Sequence, residues 1–405
     1  MRITVASLAV AVVVLSTVSA GQQVLPRVAP AAAGLDPEVL DDATALLSQF
    51  VADRKIAGAV AAVARHGQVG YLQAVGVQDL ETRAPMTERS LFRIYSMTKA
   101  VTAVAVMMLH EEGKFRLDDP VQKYLPEFAA VRVVATPGAA PRAPVRPITI
   151  EDLLLHTSGL SHRTSELYRT LGVRSRADTL PVFIAKITKA PLMEDPHTRF
   201  RYSEATTVLG RLVEVWSGQA FDVFLQARVF TPLGMTDTVF VVGPDRRDRL
   251  ATVYGPAPGG GLVPVEMEAV PFTEPALQEG AVGLVSSVPD FVRFSQMLLG
   301  RGALGGTRVL KAETMVRMTV NGLSAEVLKA RGGVMGWGLG NVDVRMEAGA
   351  SGANVGEFGW DGTGGTIFWV DPVADTVVVL MTQSSPANPD GLRQKFKGIV
   401  QHAVR

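Results

Sequence analysis

The 405 residues contain no cysteine. That absence excludes disulfides, a cysteine-anchored lipid and any thiolate metal site, while leaving export open. Charge of one sign is missing too: 40 basic against 39 acidic residues leave a formal net charge of +1, so nothing in the balance favours nucleic acid or an anionic surface as partner. There is no Gly-x-x-x-x-Gly-Lys phosphate loop and no dinucleotide fingerprint, so nucleotide chemistry has no motif to rest on. Histidine is scarce, at six residues. His110-Glu111-Glu112-Gly113-Lys114 opens like a zinc-protease helix but lacks the second histidine four residues on. His156 and His162 are not at one-face helical spacing and read as structural; no metal site and no Ser-His-Asp triad emerges. Gly349-Ala350-Ser351-Gly352-Ala353 has the outline of a nucleophile elbow, yet its fifth residue is alanine and no apolar strand feeds it.

No run after the N-terminus is long enough to be read as transmembrane. Residues 1–20 combine one arginine, an apolar run from Val5 to Leu15 and the small-residue end Val18-Ser19-Ala20. This pattern predicts a signal peptide cleaved after Ala20, and hence an exported protein. Residues 21–35, rich in Pro and Ala, are expected to be an ordered tether rather than an element.

What the chain does have is hydrophobic material, 47% of its residues, enough for a large core in one domain with an inserted lobe. Helical spacing of Val39, Leu40, Ala43, Leu46, Leu47, Phe50 and Val51 predicts an amphipathic helix over 37–54. Residues 59–65 and 69–77 read as a hairpin turning at His66-Gly67-Gln68. Thr149, with Asp152 three residues on, marks a helix start. Helical patterns and few strand signals follow from 160 to 270, closed by a Gly- and Pro-rich break over 255–264. Helices are expected at 290–299 and 312–320, strands at 334–346, 356–360, 365–370 and 376–382, and a closing helix at 389–403. Strand and helix patterns at both ends of the chain thus enclose a mostly helical insertion.

One stretch carries chemistry. Ser96-Met97-Thr98-Lys99 stands at the head of residues 100–109, of which only Thr102 is polar, so the helix belongs inside a core and its first turn is held rigidly. A spacing of three puts Ser96 and Lys99 on one face, a hydroxyl beside an amine. Lysine removes a serine proton only if its pKa falls from about 10.4 towards neutrality, and burial and the positive end of a helix both act that way.

The order of motifs then extends the pattern: Ser96-Met97-Thr98-Lys99, Tyr202-Ser203-Glu204, and Trp360-Asp361-Gly362. Leu117-Asp118-Asp119-Pro120-Val121, His156-Thr157-Ser158-Gly159-Leu160, Pro232-Leu233-Gly234-Met235 and Gly283-Leu284-Val285-Ser286-Ser287 accompany them. The set resembles the serine β-lactamase and penicillin-binding superfamily, and most of all the class C β-lactamase-related family VIII carboxylesterases.

The resemblance implies an α/β (α+β), β-lactamase-like fold, with an antiparallel sheet flanked by helices over residues 36–120 and 271–405 and a mostly helical lobe inserted over 121–270. It implies Ser96 as acylated nucleophile, Lys99 as the base beside it, and Tyr202 as a second proton-transfer group from the helical lobe. The oxyanion would be held by the backbone N–H groups of Ser96 and Thr363, and Trp360, Asp361, Gly362 and Glu204 would meet the substrate. No cofactor is implied. Two departures from the β-lactamase pattern shape the expected activity. Trp360 replaces the lysine of Lys-Thr-Gly, as in the esterases, which favours uncharged acyl substrates. Glu204 replaces the usual asparagine: facing the site it would hold Lys99 protonated and pass the base role towards Tyr202, and facing solvent, the placement expected here, it would change nothing. The expected function is hydrolysis of small short-acyl esters through an acyl-enzyme. The alternatives are a β-lactamase or D-amino-acid peptidase, and a sensor or inactive relative that binds β-lactams without turnover. The partner is a small ester or lactam.

Overall fold

The computed structural model describes residues 25–405 except 135, 137, 139, 350 and 351. The expected signal peptide, and Ala350 and Ser351 of the elbow-like stretch, therefore lie outside the described residues.

Seven antiparallel strands form the sheet: β1 (Gly58–Arg65), β2 (Gln68–Gly76), β3 (Met335–Trp337), β4 (Asp343–Arg345), β5 (Phe358–Gly362), β6 (Thr366–Asp371) and β7 (Thr376–Thr382), in the order β2-β1-β7-β6-β5-β4-β3. The hairpin expected between β1 and β2 turns at His66 (φ 52°) and Gly67 (φ 71°), two left-handed residues whose twist matches that of the flanking strands. Strand alternation sorts the side chains into two layers. Ala59, Ala61 and Val63 of β1 and Val378 and Leu380 of β7 face α1 (Pro37–Ala52) and the C-terminal helix α8 (Leu392–Ala403). Val60, Ala62 and Ala64, with Val377, Val379 and Met381, face the opposite way into the main core.

That core holds α2 (Thr98–Glu111), in which every residue from Thr98 to Leu109 is buried, and α7 (Val288–Leu299). It continues without a break into α3 (Ile150–Leu154), α4 (Leu180–Ile187), α5 (Ala205–Ser217) and α6 (Phe221–Leu225). The Thr149–Asp152 capping box starts α3 as its sequence predicts. Thus α2 is sandwiched between the sheet side and the helical elements, and the turn before it opens at their junction.

Two expectations are corrected. Residues 25–35 are no plain tether: Arg27 pairs with Val69, Pro30–Ala33 form a 3-10 turn, and Leu35 pairs with Val404, because buried Ala33 and Leu35 join the layer over β1 and β2. The Gly- and Pro-rich break over 255–264 is itself a hairpin, Tyr254–Pro256 with Leu262–Pro264, pinned to the end of β7 by Tyr254 N–H donating to the Gln383 carbonyl (3.0 Å). Gly259, Gly260 and Gly261, all at positive φ, supply its turn.

Candidate active site

The nucleophile turn is built before α2 begins. Phe92–Arg93 pairs with Val285–Ser286, Ile94 N–H donates to the Leu284 carbonyl (3.0 Å), and the chain bends through Tyr95 at φ 43°, a left-handed conformation costly for a bulky residue. The one-turn helix Tyr95–Met97 follows, with Ser96 only 5% exposed. Packing over-determines the strain: the Tyr95 ring lies edge-on to Phe272, and the β5–β6 turn presses against it. A Cβ on Gly364 would sit 2.6 Å from that ring, and one on Gly362 would sit 2.3 Å from the Ile94 carbonyl oxygen, so only glycine lets the end of β5 come this close. Gln383 ties the two strips together, its Oε1 accepting from Arg93 N–H (3.1 Å) while its Nε2 donates to the Gly364 carbonyl (3.3 Å). Thr363 stands exposed at the start of the β5–β6 turn.

Lys99 is wholly buried. Its Nζ donates to the Ala281 carbonyl at 2.9 Å, lies 3.5 Å from Ser96 Oγ and sits 4.6 Å from the centre of the Tyr202 ring. Burial drives its pKa down to about 7; Glu204 pulls back up and Arg163 pushes further down. Near neutrality this amine therefore exists in both protonation states, within reach of a serine hydroxyl.

Tyr202 hangs from the loop before α5 and is hydrogen-bonded to Ser96, while its hydroxyl accepts from the Trp360 indole N–H at 3.0 Å. Burial raises the phenol well above its ordinary value, partly offset by those two bonds. It is a neutral hydroxyl at pH 7, suited to relaying a proton but not to starting as a phenolate. Trp360 and Trp337 meet edge to face at 4.7 Å, and His162 stacks on Tyr202 at 5.6 Å, so an apolar aromatic wall lines this side of the hydroxyl pair.

Two expected site residues are placed differently. Asp361 does not share the face of Trp360. Successive strand residues point to opposite faces, and its carboxylate pairs with Arg393 of α8 at 2.9 Å, on the far side of the sheet. Glu204, expected in solvent, is fully buried at the start of α5. Thr207 Oγ1 donates to it (3.1 Å) and Arg163 Nη1 stands 3.8 Å away. Burial alone would raise this carboxyl, but Arg163, then Lys99 and His162, outweigh it and hold it below its usual value. It acts on Lys99 as a carboxylate, yet Lys99 still falls to about 7, because burial outweighs its pull and Arg163 offsets part of it.

The two histidines that the sequence marks as structural pack around the site. His156, buried with Nδ1 3.1 Å from Ser203 Oγ, is pushed well below its usual pKa by burial and then by Lys99; it props the loop carrying Tyr202. His162 is lowered to about 4, mainly by burial, so both imidazoles are neutral at pH 7. The Ala281 carbonyl, Gln383 and Arg163 had no local signal, since each reaches the site from a remote segment. Among the described residues, no group of three or more His, Asp or Glu could hold a metal ion.

The Beta-lactamase family profile matches residues 43–400. The chain belongs to the Beta-lactamase family. Similar proteins include esterase EstB of Burkholderia gladioli, 33% identical over 390 residues covering 87% of this chain and 95% of that protein. Penicillin-binding protein 4 of Amycolatopsis lactamdurans is 32% identical over 348 residues, covering 83% of each. Among solved structures, EstCE1, described as a hydrolase with promiscuous acyltransferase activity, superimposes with a TM-score of 0.77 at 27% identity, over 90% of this chain and 98% of that one. The fold is β-lactamase-like, and the protein is a serine hydrolase of this family.

Proposed function

We propose that the protein is a carboxylesterase that cleaves small short-acyl esters through an acyl-enzyme on Ser96. The observation that carries this reading is a buried amine with a pKa of about 7 placed 3.5 Å from a serine hydroxyl. In the first step Ser96 Oγ attacks the ester carbonyl and its proton passes to neutral Lys99. The oxyanion is held by the backbone N–H groups of Ser96 and Thr363, each such donor being worth roughly 3 kcal/mol. The tetrahedral intermediate collapses as the C–O bond to the alcohol breaks. Tyr202 protonates the departing alkoxide and is refilled from Lys99, leaving acyl-Ser96 and a neutral amine. Water then attacks the acyl carbon by the same relay in reverse, releasing the acid.

Trp360 supports an uncharged acyl group: its indole closes the site with a ring at the place where β-lactamases carry a lysine. Similarity to an esterase and to a hydrolase with acyltransferase activity supports the same reading. The similarity to a penicillin-binding protein favours a second activity, on β-lactams or D-amino-acid peptides. Export through residues 1–20 belongs to the proposal as well.

Parallel assays with p-nitrophenyl butyrate and a chromogenic cephalosporin decide between the two substrates, and intact mass after each reports the adduct. Ester turnover with a transient acyl adduct is expected. Lactam turnover in its absence would overturn the esterase reading, and a stoichiometric lactam adduct without turnover would mark a sensor. Ser96→Ala is expected to abolish both turnover and labelling by a fluorophosphonate; a variant retaining either removes the assignment.

A further inference from the structure

Glu204 poses a physical problem. A fully buried carboxylate facing Lys99 is the arrangement that should keep the amine charged and useless as a base. The residue that answers it lies in a loop 41 positions earlier. Arg163 Nη1 and Glu204 Oε1 are both buried, without hydrogen-bond partners, and face each other across 3.8 Å, an ion pair held by position alone. The other groups around Lys99 are already satisfied or uncharged. Glu279 is clasped by Arg174, with Nη2 2.6 Å from Oε2. Asp361 is taken by Arg393 across the sheet. His156, His162 and Tyr202 carry no charge at pH 7.

We propose that Arg163 is a positioning residue for the reaction: paired with the buried carboxylate of Glu204, it leaves Lys99 able to give up its proton beside Ser96. Arg163 acts by its charge: it offsets the Glu204 carboxylate 3.8 Å away and disfavours the protonated form of the amine, so its effect and that of Glu204 on Lys99 oppose each other. This inference rests on the reading of Lys99 as the base, and the test separates the two.

Profiles of kcat/KM against pH, with p-nitrophenyl butyrate read at the isosbestic wavelength of its product, are measured on the full chain for wild type, R163Q, E204Q and the double variant. R163Q leaves the carboxylate answered by Lys99 alone and is expected to move the acid limb upward by about one unit. E204Q removes the charge that holds the proton and moves the limb downward by at least about half a unit. In the double variant the two shifts cancel and the limb returns to within about half a unit of wild type. A purely structural role would lower the plateau without moving the limb; that result, or a double variant that shifts as far as R163Q, overturns the proposal. If R163Q does not fold, as circular dichroism would reveal, E204Q and the double variant still decide, since an unmoved limb in E204Q is equally fatal. Should Ser96→Ala keep its activity, the reading of the site falls and the inference with it; should Ser96→Ala be inactive while no limb moves, only the inference falls.

Discussion

At the level of single side chains the site depends on desolvation. Among the described residues no carboxylate hydrogen-bonds to Lys99, and its removal from water is what brings its pKa to about 7. The sign of the pH dependence follows. Below that value the amine carries a proton and cannot take one from Ser96, so kcat/KM should rise tenfold per pH unit up to about 7 and level off above it. A profile flat from pH 5 to 9 would exclude Lys99 as the base. Tyr202→Phe keeps the ring under the Lys99 amine and deletes only the relay, so turnover should fall by about two to three decades with KM nearly unchanged. Trp360→Phe keeps an apolar ring and loses the indole N–H that holds the Tyr202 hydroxyl at 3.0 Å. A loss of about tenfold in kcat is expected, smaller than for Tyr202→Phe, because the hydroxyl is left in place but free to turn; steady-state kinetics on the ester checks both.

Among elements, the decisive contact is between β5 and the nucleophile turn. The strand approaches until Gly362 lies against the Ile94 carbonyl, and Thr366 Oγ1 donates to that same oxygen at 3.3 Å. Gly362→Ala places a methyl 2.3 Å from it, so the strand end or the turn must shift. The expected result is a loss of at least about tenfold in kcat from displaced oxyanion donors, with a Tm lower by several degrees, measured by kinetics and thermal unfolding. The existence of this contact was partly legible: the glycine of Trp360-Asp361-Gly362 was singled out by its motif, but its reason, the proximity of Ile94, was not. Asp361 was misjudged for an elementary reason. A motif read as a string treats neighbours as companions, whereas a strand sends them to opposite faces.

For the molecule as a whole, a buried lysine poised for catalysis costs stability, and that cost depends on pH. With a folded pKa near 7 against an ordinary 10.5, the unfolded chain holds the proton through a window where the folded chain has lost it. Stability contributed at this site therefore rises as pH increases from about 7 to about 10.5, and below 7 the full penalty, on the order of a few kcal/mol, is present. Lys99→Met, of similar length and without charge, should be inactive, and its stability relative to wild type should be greatest at pH 6–7 and shrink towards pH 10. Denaturant unfolding at several pH values measures this, and a difference independent of pH would show that Lys99 is not held in this state. The sequence alone determined that α2 is buried on all sides, that Ser96 and Lys99 share its opening face, and where most helices and strands lie, because 3.6- and 2-residue periodicities and a spacing of three are local properties. Tertiary structure decided the rest. Glu204 was turned inward against Arg163, Asp361 was assigned to the sheet's far side, and the Ala281 carbonyl was brought to an amine 182 residues earlier in the chain. Burial and counter-charge are properties of what surrounds a group in space, and the segments that meet around Lys99 do so only once the core has closed.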